Sequence, residues 1–252
     1  TPSERRADAV VADFRSAYAD FLGADPRGIV HGRSATALTY DFSRTLAKNW
    51  GPGDEIVVTR LDHDSNVRPW VQAAQSAGAT MRWVDFDPAT GELTADAVAA
   101  VVTERTRLVA TTAASNLIGT KPPVCHISRL APEVGALHWE AGGHATAHAS
   151  VDIVALDADV WTCSPYKFMG PHCGVLAASP DLLETLHPDK LLPSTNDVPE
   201  RFEFGTLPYE ALAGATAAVD FIAGLAESSE GDDTASGTRR ERIEASMKAV
   251  HA

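Results

Sequence analysis

One lysine stands in a run where lysine is chemically consequential. Residues 160 to 176 read VWTCSPYKFMGPHCGVL. They describe a short apolar strand at Val160 and Trp161, a tight Ser164-Pro165-Tyr166 turn that presents Lys167, and a Gly170-Pro171 turn into a second strand from Gly174 to Ala178. Withdrawing an amine from water lowers its pKa and makes it a nucleophile able to condense with a carbonyl. The competing reading is a lysine whose head simply reaches solvent at a strand end. Two other polar clusters invite chemistry. Ser34-Ala35-Thr36-Ala37 opens the stretch GRSATALTYDFSRTLAKNW, where a loop enters a helix and free backbone N–H groups suit a phosphate, or where the serine only caps the helix. Asp62-His63-Asp64-Ser65-Asn66 follows a strand, at the end where open α/β sheets place ligands, although His63 also fits a plain loop histidine.

These groups need elements to hold them. Residues 4 to 22 space Ala7, Val10, Val11, Phe14, Ala17, Tyr18, Phe21 and Leu22 along one helix face, with Ser3 as expected N-cap and Gly23 as stop. A strand from Ile29 to His31 precedes a helix with a Leu38, Phe42, Leu46 stripe. A buried strand from Gly53 to Thr59 leads to a helix through Gln75; strands follow at Thr80 to Val84, Arg107 to Thr112 and Ala136 to Glu140, with a helix capped by Thr94 between. Ser115-Asn116 falls at a strand end, where Asn116 can cap the turn before Gly119. Strands alternating with helices at this spacing predict a three-layer α/β/α fold with a mainly parallel sheet. A small-residue helix is expected from Ala211 to Leu225, an acidic flexible linker from Ser228 to Gly237, and a renewed helix over 238–252.

Composition narrows the function classes. With 44% hydrophobic residues in 252, the chain can bury a sizeable core. Lys+Arg 21 against Asp+Glu 34 leaves a net charge of −13, which argues against a nucleic-acid partner while leaving room for one local phosphate pocket. Cys125, Cys163 and Cys173 have no zinc-type spacing and are too few for a disulfide framework, so they are read as reduced and the chain as cytoplasmic, with no metal expected. No apolar run of membrane-spanning length occurs, and TPSERRADAV lacks the apolar core of a signal peptide.

The Ser164-Pro165-Tyr166-Lys167-Phe168-x-Gly170-Pro171-His172 pattern resembles the cofactor-lysine segment of the class V aminotransferase family, in particular its cysteine desulfurase-like members of PLP-dependent fold type I. The resemblance implies pyridoxal 5′-phosphate (PLP) held by Lys167 as an internal aldimine, with Ser164 and Tyr166 beside its phosphate. The family's phosphate turn aligns with Ser34, Ala35, Thr36 and Ala37, which implies that Thr36 and the backbone of Ala35 carry that role. Its Glu-His-x-x-Asn-x-x-Pro-Trp pattern aligns with Asp62 to Trp70, giving His63 the place stacked on the pyridine face. Its Ser-Asn-x-x-Gly-Thr pattern makes Asn116 a ring and substrate contact, and its Arg-x-Glu-x-Gly-Thr pattern, here Arg201 to Thr206, implies a homodimer in which Thr206 reaches the partner's phosphate.

One departure matters. The family carries Val-Asp-Ala-x-Gln/His-x-x-x-His, whose aspartate pairs with the pyridine nitrogen. Here Ala141 occupies that position, with His144 and His148 at the later ones. Glu140 is one residue early and would reach the ring only if a bulge at Gly142-Gly143 turned it inward. Protonated pyridine is what makes PLP a strong electron sink, so binding is the firmer expectation and turnover the weaker one. The resemblance implies an enzyme acting on an amino acid by C–S cleavage or related Cα chemistry. Its alternatives are transamination, epimerisation or β-elimination, or a non-catalytic dimeric binding module for which Ala141 is the main support. It covers residues 1–227 as a PLP-binding large domain; the small C-terminal domain that supplies a persulfide cysteine and a carboxylate-binding arginine in desulfurases does not follow within these residues.

Overall fold

A computed structural model of the chain describes residues 1–226 and 237–250. The acidic linker expected from Ser228 lies, apart from Gly237, outside the described residues. The first helix, α1 (Pro2–Leu22), begins before the expected cap. Thr1 is the N-cap: its side chain accepts from the backbone of Glu4 at 3.3 Å and Glu4 reaches back to the Thr1 amine, a capping box that a proline at N1 favours. Gly23 ends the helix with φ 64, a left-handed angle suited to glycine.

The strands are β1 (Ile29–Gly32), β2 (Glu55–Thr59), β3 (Thr80–Val84), β4 (Thr106–Thr112), β5 (Leu137–Ala141), β6 (Val160–Cys163) and β7 (Gly174–Ala178). They form one seven-stranded sheet in the order β1-β7-β6-β5-β4-β2-β3. Neighbours from β3 to β6 run parallel, whereas β7 lies antiparallel to β6 and β1 antiparallel to β7. Two reversals restore the direction, so β1 points the same way as the central strands. Its C-terminal end therefore opens at the same sheet edge as those of β2, β4, β5 and β6.

Side chains alternate between sheet faces, and two layers of helix exploit the alternation. On one face Ile56, Val58, Leu108, Ala110, Trp139, Val160 and Leu176 pack against α2 (Ala35–Ala47), through Leu38, Phe42 and Leu46, and α3 (Arg68–Ala77), through Trp70 and Ala74. On the other, Trp161, Cys163, Val175 and Ala177 meet α1 and the helix that spans Tyr209–Ala223, while Val57 and Val109 meet the short helices Ala95–Ala99, Val124–Ser128 and Leu130–Glu133. The Tyr209–Ala223 helix starts and stops two residues before the expected span, directly after Pro208. A final helix, Arg239–Val250, is pinned to α1 and to the loop after β5, where the Arg240 guanidinium donates to Asp20 O at 3.2 Å and to Val151 O at 2.6 Å. The expected α/β/α architecture is borne out.

Candidate active site

The C-terminal edge of the sheet forms a cleft of about 100 Å³ lined by Ala35, Thr36, His63, Asn116, Ala141, His144, Ser164, Tyr166 and Lys167, all nominated from sequence. Larger surface clefts of about 500 and 650 Å³ lie between α2 and α3 and beside Arg15, but neither gathers a set of convergent catalytic groups.

Lys167 sits in a 3-10 turn, Pro165–Phe168, directly after β6. Phe168 anchors the turn by packing 5.1 Å from Phe21 and 6.5 Å from Tyr18, ring to ring. Lys167 N donates to Ser164 O at 3.0 Å and Gly170 N to Pro165 O at 2.9 Å. With the turn fixed at its buried residues, Tyr166 and Lys167 project outward, and Tyr166 stacks on His172 at 5.1 Å. A Cβ on Gly143 would stand 3.3 Å from Lys167 Nζ, so that glycine keeps the space beside the amine open. Partial burial at its base lowers the Lys167 ammonium from its ordinary range, with nearby Cys163 opposing.

The facing wall is the start of α2. Ser34 Oγ accepts from Ala37 N at 3.0 Å, which places Ser34 as a cap behind the cleft rather than in its lining. The first-turn N–H groups of Ala35 and Thr36 lack intrahelical acceptors by construction and carry the helix's positive end. A Cβ on Gly174 would fall 2.3 Å from Ser34 C and 2.5 Å from Ala35 N; β7 approaches the helix start this closely only as glycine.

His63 is held by its neighbours. Its Nδ1 accepts from Ser65 N at 3.1 Å and lies 2.8 Å from Ser65 Oγ, which leaves the ring proton on Nε2. Below it, Asn66 is saturated: Nδ2 donates to Asp62 at 2.7 Å and to Thr111 O at 3.0 Å, and Oδ1 accepts from Trp70 Nε1 at 3.2 Å. Burial pushes the Asp62 carboxyl up to about 8, against the hydrogen bonds from Asn66 and Thr59.

His144 enters from the loop after β5, its ring 4.7 Å from that of His148. Burial holds its imidazole below the usual range, and the positive charges of His148, Lys167 and Lys121 add to this. The loop is clamped: Thr146 Oγ1 donates to Gly142 O at 2.7 Å and accepts from Trp161 Nε1 at 3.0 Å. The indole lies so near that a Cβ on Gly142 would be 2.0 Å from it.

The bulge that would bring Glu140 inward is absent. β5 stays in unbroken register, with Glu140 opposite Thr111 and Trp161, and Ala141 opposite Thr112 and Thr162. Alternation then turns Glu140 to the far face. There, fully buried, its Oε2 accepts from Thr111 Oγ1 at 2.6 Å and lies 3.1 Å from His138 Nε2. The position facing the cleft belongs to Ala141.

Thr206 also lies outside this cleft. It lines a separate one of about 400 Å³ with His31, His172 and Phe204. Ser65 and Asn66, from the polar cluster around His63, also line the cleft, and Thr39, Thr112 and Thr162 join them without having been singled out in the sequence. For Thr112 and Thr162 the available signal was their place at the ends of strands flanking β5. Among the described residues no group of three or more His, Cys, Asp or Glu could hold a metal ion.

The model of the family described as aminotransferase class-V matches residues 3–250. The chain belongs to the class V aminotransferase family. Its relatives include an uncharacterized protein, MT3887, of Mycobacterium tuberculosis, 33% identical over 100% of this chain and 62% of its own, and a cysteine desulfurase of Dickeya dadantii, 34% identical over 87% of this chain and 57% of its own. The chain thus spans about three fifths of the length of these curated relatives. Among solved structures, the cysteine desulfurase CsdA of Escherichia coli aligns with a TM-score of 0.77 at 25% identity, over 90% of this chain and 64% of that one. The apo cysteine desulfurase of Thermococcus onnurineus NA1 aligns with a TM-score of 0.80 at 25% identity, over 86% and 57%. The likeness read from the lysine run is borne out, and the class V fold seen in these desulfurases is the fold type I architecture described above.

Proposed function

We propose that this class V family member is a PLP-dependent enzyme of the cysteine desulfurase-like group, acting on an amino acid at its Cα by C–S cleavage or a related reaction. The observation that carries the reading is the convergence, in one cleft, of the Lys167 amine with its lowered pKa, the positive start of α2 and the oriented imidazole of His63. When bound, PLP supplies an aldehyde for covalent attachment and an electron-withdrawing ring.

The residues fit the group at two of its ends. Lys167 meets the aldehyde with the room that Gly143 leaves, and Ala35 and Thr36, with Ser164 and Tyr166, would hold the phosphate. His63 would lie along the ring, while Asn116 and His144 can donate to its hydroxyl. The Lys167 amine would be the base that takes a proton from the substrate Cα and returns it. Transamination, epimerisation and β-elimination use the same groups and stand as alternatives within this reading.

Residues 1–227 would form the PLP-binding large domain, and the Arg239–Val250 helix would lead toward a further domain. Homodimerisation fits the placement of Thr206: it is exposed, next to half-exposed Phe204 and away from its own chain's cleft, as a contribution to a partner's site requires. Free Cys125, Cys163 and Cys173 accord with a cytoplasmic setting, and no described helix is long and apolar enough to cross a membrane.

A second reading, a non-catalytic dimeric binding module, draws on one observation, the Ala141 methyl where the family has an acid. The two part at Lys167. Purified protein incubated with PLP, reduced with borohydride and mapped by peptide should carry the cofactor on Lys167, and Lys167→Ala should abolish the visible absorbance band while leaving oligomeric state unchanged. Wild-type protein that retains no PLP would overturn the enzyme reading.

A further inference from the structure

We propose that Thr162, through its hydroxyl, takes the place of an acid at the pyridine nitrogen, so that the ring is held unprotonated; this rests on the PLP reading above. Three residues lie abreast on the floor of the cleft. Thr112 of β4, Ala141 of β5 and Thr162 of β6 are cross-strand partners in unbroken register, so their side chains share one sheet face, and all three line the cleft. No carboxylate shares that floor. Two acids adjacent in sequence to lining residues are turned away: Glu140 lies on the opposite face with Thr111 and His138, and Asp62 is packed between Thr59 and Asn66. The titratable groups that do face the cleft are His63, His144 and Lys167, all basic, together with the Tyr166 phenol at its outer side.

The shape of the cofactor assigns its third end. In a pyridoxal ring the nitrogen is para to the carbon that bears the aldehyde. With the aldehyde at Lys167 and the phosphate at the start of α2, the nitrogen would face the inner end of the cleft, whose floor is formed by the strand ends. A neutral floor offers a nitrogen lone pair a hydrogen-bond donor and no proton.

The two threonines are not equivalent as donors. Thr112 Oγ1 is engaged by main-chain carbonyls, Ala114 O at 2.9 Å and Ala141 O at 3.2 Å. Thr162 Oγ1 has only a long contact of 3.4 Å to Glu140 O, so its proton is the one free to turn toward a ligand. The chemical consequence follows from the cofactor. An unprotonated ring would withdraw electrons from Cα less strongly, so proton loss there would depend more on Lys167 as base.

The test uses PLP labelled with 15N in the ring, bound to the full chain and observed by NMR. A pyridine nitrogen moves far upfield when protonated, so the shift reads the proton directly without any turnover. Wild type is expected at the unprotonated, hydrogen-bonded position. Thr162→Val should move the signal further downfield, toward a nitrogen with no donor, and Ala141→Asp should move it upfield to the protonated position. A wild-type signal at the protonated position, or one that Thr162→Val leaves unmoved, overturns the assignment. Valine has nearly the shape of threonine, so the test survives even if Ala141→Asp does not fold. No bound label at all, with PLP lost on dialysis, would instead overturn the cofactor reading and this inference with it.

Discussion

Thr146 offers a sharp test of how the cleft loop is held. The residue is fully buried and its hydroxyl does two things, donating to Gly142 O at 2.7 Å and accepting from Trp161 Nε1 at 3.0 Å. Valine has the same shape, so Thr146→Val opens no cavity and removes only the polar contacts. Gly142 O keeps the hydrogen bond it receives from Thr146 N at 2.9 Å, and that carbonyl stays satisfied. The indole N–H of Trp161, a residue only 1% exposed, is left with no acceptor. A buried donor so orphaned costs about 1–3 kcal/mol, which for a chain of this size lowers Tm by roughly 2–4 °C per kcal/mol.

A double-mutant cycle with Trp161→Phe isolates that contribution, because phenylalanine has no N–H to strand. Urea denaturation of wild type, the two single variants and the double variant should show that Thr146→Val costs about 1–3 kcal/mol less when Trp161→Phe is already present. Strictly additive losses would refute the clamp. If the clamp holds the loop as argued, Thr146→Val should also weaken PLP binding through His144.

Three further outcomes are expected. Asp62 has its pKa pushed up to about 8 by burial, against about 4 when unfolded, so the folded state holds a proton that the unfolded state releases between these values. Its contribution is most favourable below about pH 4 and is lost as pH rises to about 8; Asp62→Asn should flatten urea midpoints over that window, and an unchanged slope would refute the assignment. Arg15 pairs with buried Glu203 at 2.9 Å, so Arg15→Met should cost about 3–5 kcal/mol near neutral pH by leaving that carboxylate unpaired. Burial raises the Glu203 pKa while Arg15 lowers it, so the loss should shrink in acid as the orphaned carboxyl protonates; equal losses at both pH values would contradict this. Gly174→Ala would put a methyl against Ser34 and Ala35, and the displaced helix start should lose about tenfold in affinity for inorganic phosphate or PLP, measured by calorimetry, while Ala177→Gly on the same strand should not.

Much of the fold was legible because it rests on local patterns. The apolar runs at Gly53 to Thr59 and Arg107 to Thr112, separated by helical stripes, are enough to require parallel strands, since hairpin turns are missing between them. The Lys167 turn was also local: Ser164-Pro165 starts it, Gly170-Pro171 ends it, and no distant residue is needed to present the amine. Helix limits moved by a residue or two, as at Thr1 and Tyr209, where a proline set the start.

The sequence by itself determined the strand and helix alternation, the family, and the lysine that the cleft is built around, because each is written in residues close together in the chain. Only the tertiary structure decided what faces that lysine's ligand. Whether Glu140 or Ala141 looks into the cleft depends on the register of β5 between β4 and β6, and one residue of slip would exchange them. Thr112 and Thr162 stand on either side of Ala141 because parallel pairing aligns strand ends that lie far apart in sequence. Which face a side chain takes, and which distant side chains it meets there, is settled by hydrogen-bonded register, a property of the assembled sheet that no short stretch contains.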